Sequence, residues 1–523
     1  MLKTSAITLA LSLIVFSTPQ QAEDQRVIVT NKGLPPSQLP TPQDMGKGGG
    51  DQDSSTTSQQ PRGIKKIELP DMGDSSGTLI SPAEEKEFGE EFFRSLHAQI
   101  TINQDAEIQE YIQSIGQKLA ANSDSPGHPF HFFVVMENDI NAFAGPGGYI
   151  GVNSGLITMT EAESELASVM AHEISHVTQR HLFRAAEAAG RLTIPSAAGM
   201  LAAILLGTQS PQMGQAAIMA IMGGSIQFQI NFTRENEEEA DRVGMQTLAA
   251  SRYDPRSMPT FFERLQQATR FYGQGVPEFL RTHPVTESRI SDTRGRAETY
   301  PYKQYPDSLG YLLTKAKIRV LSDANTGAAA EYFQSRLNLG TPEQRAVARY
   351  GMGLLDLKAE KFKEAETIFQ TLAHEYPEQP QYATAFARTA FDAHNYPVAA
   401  NRYQKLVEQF PDNDAIKLEY ITALLKTDKA DLARNKLLSL NPQMQRLPNY
   451  WQLLAQAYSD LHQPAESHRF LAEYYYAMGQ TQDAILQIRL AQESKGLNFQ
   501  LSSILNERLN YFFSQEIEAK RKK

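Results

Sequence analysis

The residues in this 523-residue chain best placed to do chemistry are His172-Glu173-Ile174-Ser175-His176. They lie in a stretch from Glu161 to about Phe183 whose spacing predicts a helix, and residues four apart on a helix project from one face. Both imidazoles can therefore reach a single ion, as in a zinc-binding HExxH helix. Glu173 follows the first histidine directly. There it can take a proton from water held at the ion, because zinc lowers the pKa of such water to about 7. Two histidines do not complete a zinc site. A third protein ligand is needed, and since the chain has no cysteine it must be histidine, aspartate or glutamate.

Two patterns could supply it. The metzincin arrangement needs a histidine six residues after the second, with glycine halfway. Those positions hold Leu182 and Gln179, and His181 is one place off, so that pattern fails. The other arrangement takes a glutamate from a later helix. Glu235-Asn236-Glu237-Glu238-Glu239-Ala240-Asp241 opens an apolar-periodic stretch through Val243, Met245 and Leu248. A carboxylate cluster at a helix start is also what the helix dipole favours as solvated charge, so spacing alone leaves both readings open. His128, His131 and His181 read as structural or surface residues.

With these segments in hand, the chain resembles the HtpX and CaaX-prenyl-protease type of gluzincin metallopeptidase. The HExxH run and Glu237-x-x-Ala240-Asp241 carry the resemblance. So do Asn141-Ala142-Phe143-Ala144 with Pro146-Gly147-Gly148, and Thr282-His283-Pro284 with Arg289-Ile290. It covers roughly Ser81 to Glu298. It implies a zinc endopeptidase holding one Zn2+ per chain on His172, His176 and Glu237, with Glu173 as general base. Asp241, one turn beyond Glu237, would then fix a ligand imidazole; the alternative is a surface carboxylate. The strand from Gly148 to Asn153 would be a sheet edge to which extended substrate adds a strand, so that cleavage depends on an accessible backbone. His283, a histidine before proline, reads either as a hydrogen-bonded surface residue or as a group near the zinc, and the second reading has two opposite consequences. Filling the fourth position would hold the enzyme off, since a catalytic zinc keeps that position open. Polarising the substrate carbonyl, with Arg289 as partner, would assist turnover.

The elements that position these groups can be sketched from the same sequence. Ser81-Pro82-Ala83-Glu84 combines an N-cap serine, a first-turn proline and a capping-box glutamate. Ile108, Ile112, Ile115 and Leu119 share one face of a second helix. Phe130 to Met136 and Tyr149 to Val152 read as strands about the Gly145-Pro146-Gly147-Gly148 turn. Thr160-Glu161-Ala162-Glu163 reads as another capping box. Between the two ligand segments, Ala197 to Leu206 and Ala216 to Met222 are apolar runs split by Gly207 to Pro211. Each is too short to cross a bilayer. The pair reads as a lid, a client-binding surface or a buried hairpin.

From about Asp307 the pattern is helical and repeats every 34 residues, at Phe362 and Tyr396, Ala365, Ala399 and Ala433, and Pro377 and Pro411, with Ala465 following after 32. That period and those residue types mark tetratricopeptide repeats, whose stacked helix pairs form a groove for peptide or protein segments. The expected fold is thus α+β: a mainly helical zincin-type domain with a small sheet (residues 79–300), then an all-α repeat array (307–523). Residues 1–22 have the order of a secretory signal peptide, with Lys3 before an apolar Ala6 to Phe16. Residues 23–78, rich in Gly, Ser, Gln, Asp and Pro, read as a disordered linker. The net charge of −10 argues against nucleic acid as a partner.

These features point to an exported chain without a membrane span once the leader is removed, with peripheral or transient membrane contact left open. Together with the resemblance they imply a periplasmic enzyme that degrades misfolded or stalled outer-membrane proteins and assists their assembly. The implied partners are outer-membrane β-barrel precursors and the β-barrel assembly machinery. The rival reading is a repeat-based assembly chaperone or adaptor whose metal site is latent or structural.

Overall fold

Helix α1 (Pro82–His97) starts as its sequence dictates. Ser81 accepts from the Glu84 N–H while the Glu84 carboxylate accepts from the Ser81 N–H, closing the capping box. Asp105 caps α2 (Ala106–Ala120), accepting from the Glu107 and Ile108 N–H groups. All four predicted apolar positions of α2 are buried. The computed structural model describes residues 80–188, 226–271, 277–322, 326–442 and 444–521, all within one compact unit. The segments read from sequence as leader (1–22) and linker (23–78), and the apolar insert at 197–222, lie outside the described residues.

Three strands follow: β1 (His131–Val135), β2 (Ala142–Ala144) and β3 (Tyr149–Asn153). Their order is β1-β3-β2, with β3 parallel to β1 and antiparallel to β2. This corrects one expectation: the strand after Gly148 is central, not an edge. The outer side of β1 is already occupied. The Phe132 carbonyl accepts from Gln109 at 2.6 Å and Gln113 at 3.0 Å, Phe130 accepts from Gln117 at 3.0 Å, and Val134 accepts from the Asn103 N–H at 2.8 Å. The edge strand beside the histidine helix is β2. Gly148, at φ 75°, lies in the left-handed region, and a Cβ there would strike the Pro129 carbonyl, so only glycine makes this turn.

After the short α3 (Ser154–Met159) comes α4 (Glu163–Thr178), the histidine helix. Two details differ from expectation. No side chain caps α4; the Thr160 hydroxyl is spent on the Ile157 carbonyl and Tyr311 instead. And the helix does not run on to Phe183. It breaks at Arg180, whose φ of 54° is left-handed, and α5 (His181–Ala188) starts afresh. Helices α6 (Ile226–Ala250), α7 (Ser257–Phe271), α8 (Glu278–Thr282) and α9 (Glu287–Glu298) complete this part. Gly244 lets α6 lie close on α4, because a Cβ there would sit 3.1 Å from the His172 backbone.

The remainder is helical. Helix Leu309–Ser322 sends Tyr311 and Ile318 into the same core as α2 and α4, so it docks the array rather than hanging from it. Paired helices at Phe362–Glu375, Pro380–Asp392, Tyr396–Gln409 and Asp414–Leu425 follow, with Ala365, Ala399 and Ala433 fully buried where helices cross. Lys317 bridges Asp105 at 2.6 Å and Glu107 at 2.7 Å across this junction. The Arg94 guanidinium of α1 stands 4.5 Å from the Tyr476 ring centre. The chain is α+β with one small sheet, as expected.

Candidate metal centre

Four elements converge on one point. Helix α4 brings His172, Glu173 and His176, α6 brings Glu237 and Asp241, the end of α8 brings His283, and the first turn of α9 brings Arg289. One ligand atom from each of His172, His176, Glu237 and His283 falls within 4.8 Å of the others. His172 Nε2 and His176 Nε2 are 3.0 Å apart, and each lies 3.4 Å from a Glu237 oxygen. Donors about 2.0–2.1 Å from a tetrahedral zinc stand about 3.3–3.4 Å from one another. The donor spacing and the donor types therefore both fit zinc.

Charge points the same way. Glu173, Glu237 and Asp241 are buried carboxylates, and the buried Arg289 pairs with the last two. Burying charge is costly unless it is balanced, so this pocket favours a further positive charge, a proton on His172 or a metal ion in its place. Glu237 stays well below the usual carboxylate range: burial pushes it up, but His283 and hydrogen bonds from His172 and His176 outweigh that. Burial pushes His172 down, yet Asp241 and Glu237 carry it up to about 10. His176, where burial wins, falls to about 3.

Glu173 projects over this set. Its carboxyl is raised, chiefly by burial, and the Ala144 backbone of β2 hydrogen-bonds to it. Its Oε1 is buried with no hydrogen-bond partner, an orphaned acceptor facing the site. Asp241 is no surface carboxylate. Its Oδ1 is 3.0 Å from His172 Nδ1, while Arg289 holds both its oxygens, Nε and Nη2 each donating across 2.7 Å. His283 Nδ1 lies 3.0 Å from Glu237 Oε1, and its Nε2 lies 3.6 Å from Glu173.

Sequence reasoning missed two residues and weighed a third only as a partner for His283. Arg289 does not contact His283; it joins Asp241 to Glu237, reaching the latter at 2.9 Å, and donates to the Pro284 carbonyl at 2.8 Å. His181, read as structural or surface, is buried, with Nδ1 2.9 Å from His176 Nδ1. Its Nε2 meets Glu239 Oε2 at 3.2 Å. The available signal was its place in the chain, one position short of the metzincin histidine.

Known proteins match along most of the chain. The profile of peptidase family M48 matches residues 106–297, and a tetratricopeptide-repeat profile matches 390–457. A β-barrel assembly-enhancing protease of Yersinia pestis is 34% identical over 429 residues, 81% of this chain and 88% of that protein. The Escherichia coli K12 protein of the same name is 36% identical over 417 residues, 80% and 85% of the two chains. A mitochondrial metalloendopeptidase of Arabidopsis thaliana is 27% identical over 237 residues, 45% of this chain and 43% of its own. The long shared alignment and the HExxH helix lead to one assignment: this chain belongs to peptidase family M48 and is a metallopeptidase carrying C-terminal tetratricopeptide repeats.

Proposed function

We propose that the chain is a periplasmic zinc endopeptidase that degrades misfolded or stalled outer-membrane β-barrel proteins and assists their assembly. The carrying observation is the convergence of His172, His176 and Glu237 beside the orphaned carboxylate of Glu173. The names of its long relatives, which speak of β-barrel assembly, support the client class. On this reading residues 79–300 cut, residues 307–523 bind clients or the assembly machinery, residues 1–22 direct export, and residues 23–78 link.

His172, His176 and Glu237 would hold the zinc, one ion per chain. Bound there, it supplies Lewis acidity that polarises a substrate carbonyl and acidifies water. Glu173 takes the proton from the attacking water and passes it to the leaving amine. Its raised pKa makes it a stronger base than an exposed carboxylate. Asp241 keeps His172 from turning, and Arg289 keeps Asp241 from turning. Strand β2, lying against Glu173 through Ala144, is the edge along which an extended backbone would align.

A second reading, a chaperone or adaptor with a latent metal site, draws support from His283. Its ring lies against both Glu237 and Glu173, crowding a ligand and the base together. We read this as a resting arrangement in which His283 restrains the peptidase.

Glu173→Gln decides between the readings. Degradation of an unfolded outer-membrane protein should fall by about 10²–10⁴-fold, with one zinc per chain retained. Undiminished degradation would refute the role of Glu173. Survival of the whole biological activity with no degradation would favour the chaperone reading.

A further inference from the structure

His181 and Glu239 lie behind the metal set, at positions the ligand motifs leave unspecified. We propose that His181, backed by Glu239, is a positioning residue that fixes the ring and tautomer of His176 so that its Nε2 lone pair faces the metal. The inference rests on reading His172, His176 and Glu237 as the ligands.

The proton inventory leaves one consistent arrangement. A neutral imidazole has one N–H and one lone pair. His176 Nε2 faces His172 at 3.0 Å and Glu237 at 3.4 Å, and on the ligand reading this nitrogen bears the lone pair that binds the ion. Its proton then sits on Nδ1, which is 2.9 Å from His181 Nδ1. Two nitrogens that close need one donor and one acceptor, so His181 accepts on Nδ1. Its own proton is therefore on Nε2, 3.2 Å from Glu239 Oε2. That carboxylate also accepts from Arg184 Nη1 at 2.8 Å, which holds it in place. The opposite tautomer of His181 would set N–H against N–H and turn a lone pair towards Glu239. Every group in the row then faces a mismatch.

The backbone is shaped for this contact. On an unbroken helix, residues five apart diverge by about 140°, and the two rings would face different sides. The left-handed Arg180 ends α4, so α5 folds back and the rings meet edge-on, centroids 4.8 Å apart at 79°. His172 is oriented differently, by Asp241 under the Arg289 fork. Each histidine of the pair thus has its own support, from opposite sides of α6.

The test measures zinc affinity of the purified full chain by competition with a chromogenic chelator, and the electronic spectrum of the cobalt-loaded chain. His181→Phe keeps the ring's bulk and removes the acceptor; affinity should fall about 10–100-fold, with a changed cobalt spectrum. His181→Gln, whose amide oxygen can accept from His176 Nδ1–H, should recover much of that loss. A purely space-filling role predicts the reverse order. Glu239→Gln should fall in the same direction by less, and decides the matter if His181→Phe does not fold. Affinities within about twofold of the parent in His181→Phe, or in Glu239→Gln where the former does not fold, overturn the proposal, as does Gln performing no better than Phe. A parent chain that takes up no zinc overturns the ligand reading and this inference with it. A parent that binds zinc while His181→Phe binds it equally well overturns this inference alone.

Discussion

Arg289 grips Asp241 with two arms of its guanidinium, Nε and Nη2 each at 2.7 Å, while its third nitrogen reaches Glu237 at 2.9 Å. One buried cation thereby orders two carboxylates on successive turns of α6, and through Asp241 it also orders His172.

Replacing that cation should hurt twice. Arg289→Met leaves Asp241 and Glu237 buried without their partner, a loss of about 3–5 kcal/mol visible in thermal unfolding of the metal-free chain. Zinc affinity should fall about 10–100-fold with it. Arg289→Lys restores the charge but not the planar fork, so it should rescue stability better than zinc affinity. Equal rescue of both would mean that charge alone matters here.

His283 offers a test of opposite sign. It contacts Glu237 at 3.0 Å and stands 3.6 Å from Glu173, so its removal should free ligand and base together. His283→Ala is expected to raise degradation of an unfolded client. A rise of roughly tenfold corresponds to a resting site competent about one-tenth of the time. A fall instead would assign His283 to polarising the substrate carbonyl.

The histidine pair and the repeats could be read from sequence because each obeys a local period: i, i+4 on a helix, or 34 residues along an array. The strand order could not. The parallel pairing of His131–Val135 with Tyr149–Asn153 passes over β2, and nothing in either segment's alternation says which strand lies between. His181 was hidden for a related reason. Judged by helical phase it faces away from His176, and only the left-handed backbone of Arg180, a residue type that does not advertise such a turn, reverses this. Arg289 lies in another helix altogether, so its fork on Asp241 depends on how α9 packs against α6.

If β2 aligns an extended backbone, cleavage requires the client to unfold locally or globally. The rate should then track the client's unfolded population. For a small two-state client domain, each 1.4 kcal/mol of destabilisation should speed cleavage about tenfold until unfolding ceases to limit. A panel of graded mutants of one such domain, cut by the full chain, gives the slope. A flat series would remove the strand-addition idea.

The junction between α2 and the repeats carries its own pH dependence. Glu110 of α2 has its carboxyl raised to about 7, first by burial, then by Glu107 and by Asp414 of helix Asp414–Leu425; Asn413 and Lys417 oppose the shift. In the unfolded chain the same group titrates near its ordinary 4.5. Between those values the folded chain keeps a proton that the unfolded chain has released, so folding takes up a proton there. Stability from this group is therefore fully present below 4.5, is lost as pH rises through 7, and changes no further above it. Glu110→Gln, which mimics the protonated form, should leave the melting temperature nearly unchanged in mild acid. In mild alkali it should raise it by a few degrees at most, since each kcal/mol moves a domain's midpoint by about 2–4 °C. Melting curves of parent and variant across that range should therefore converge towards acid and separate towards alkali. Parallel curves would place the charge of Glu110 in solvent and not in the joint.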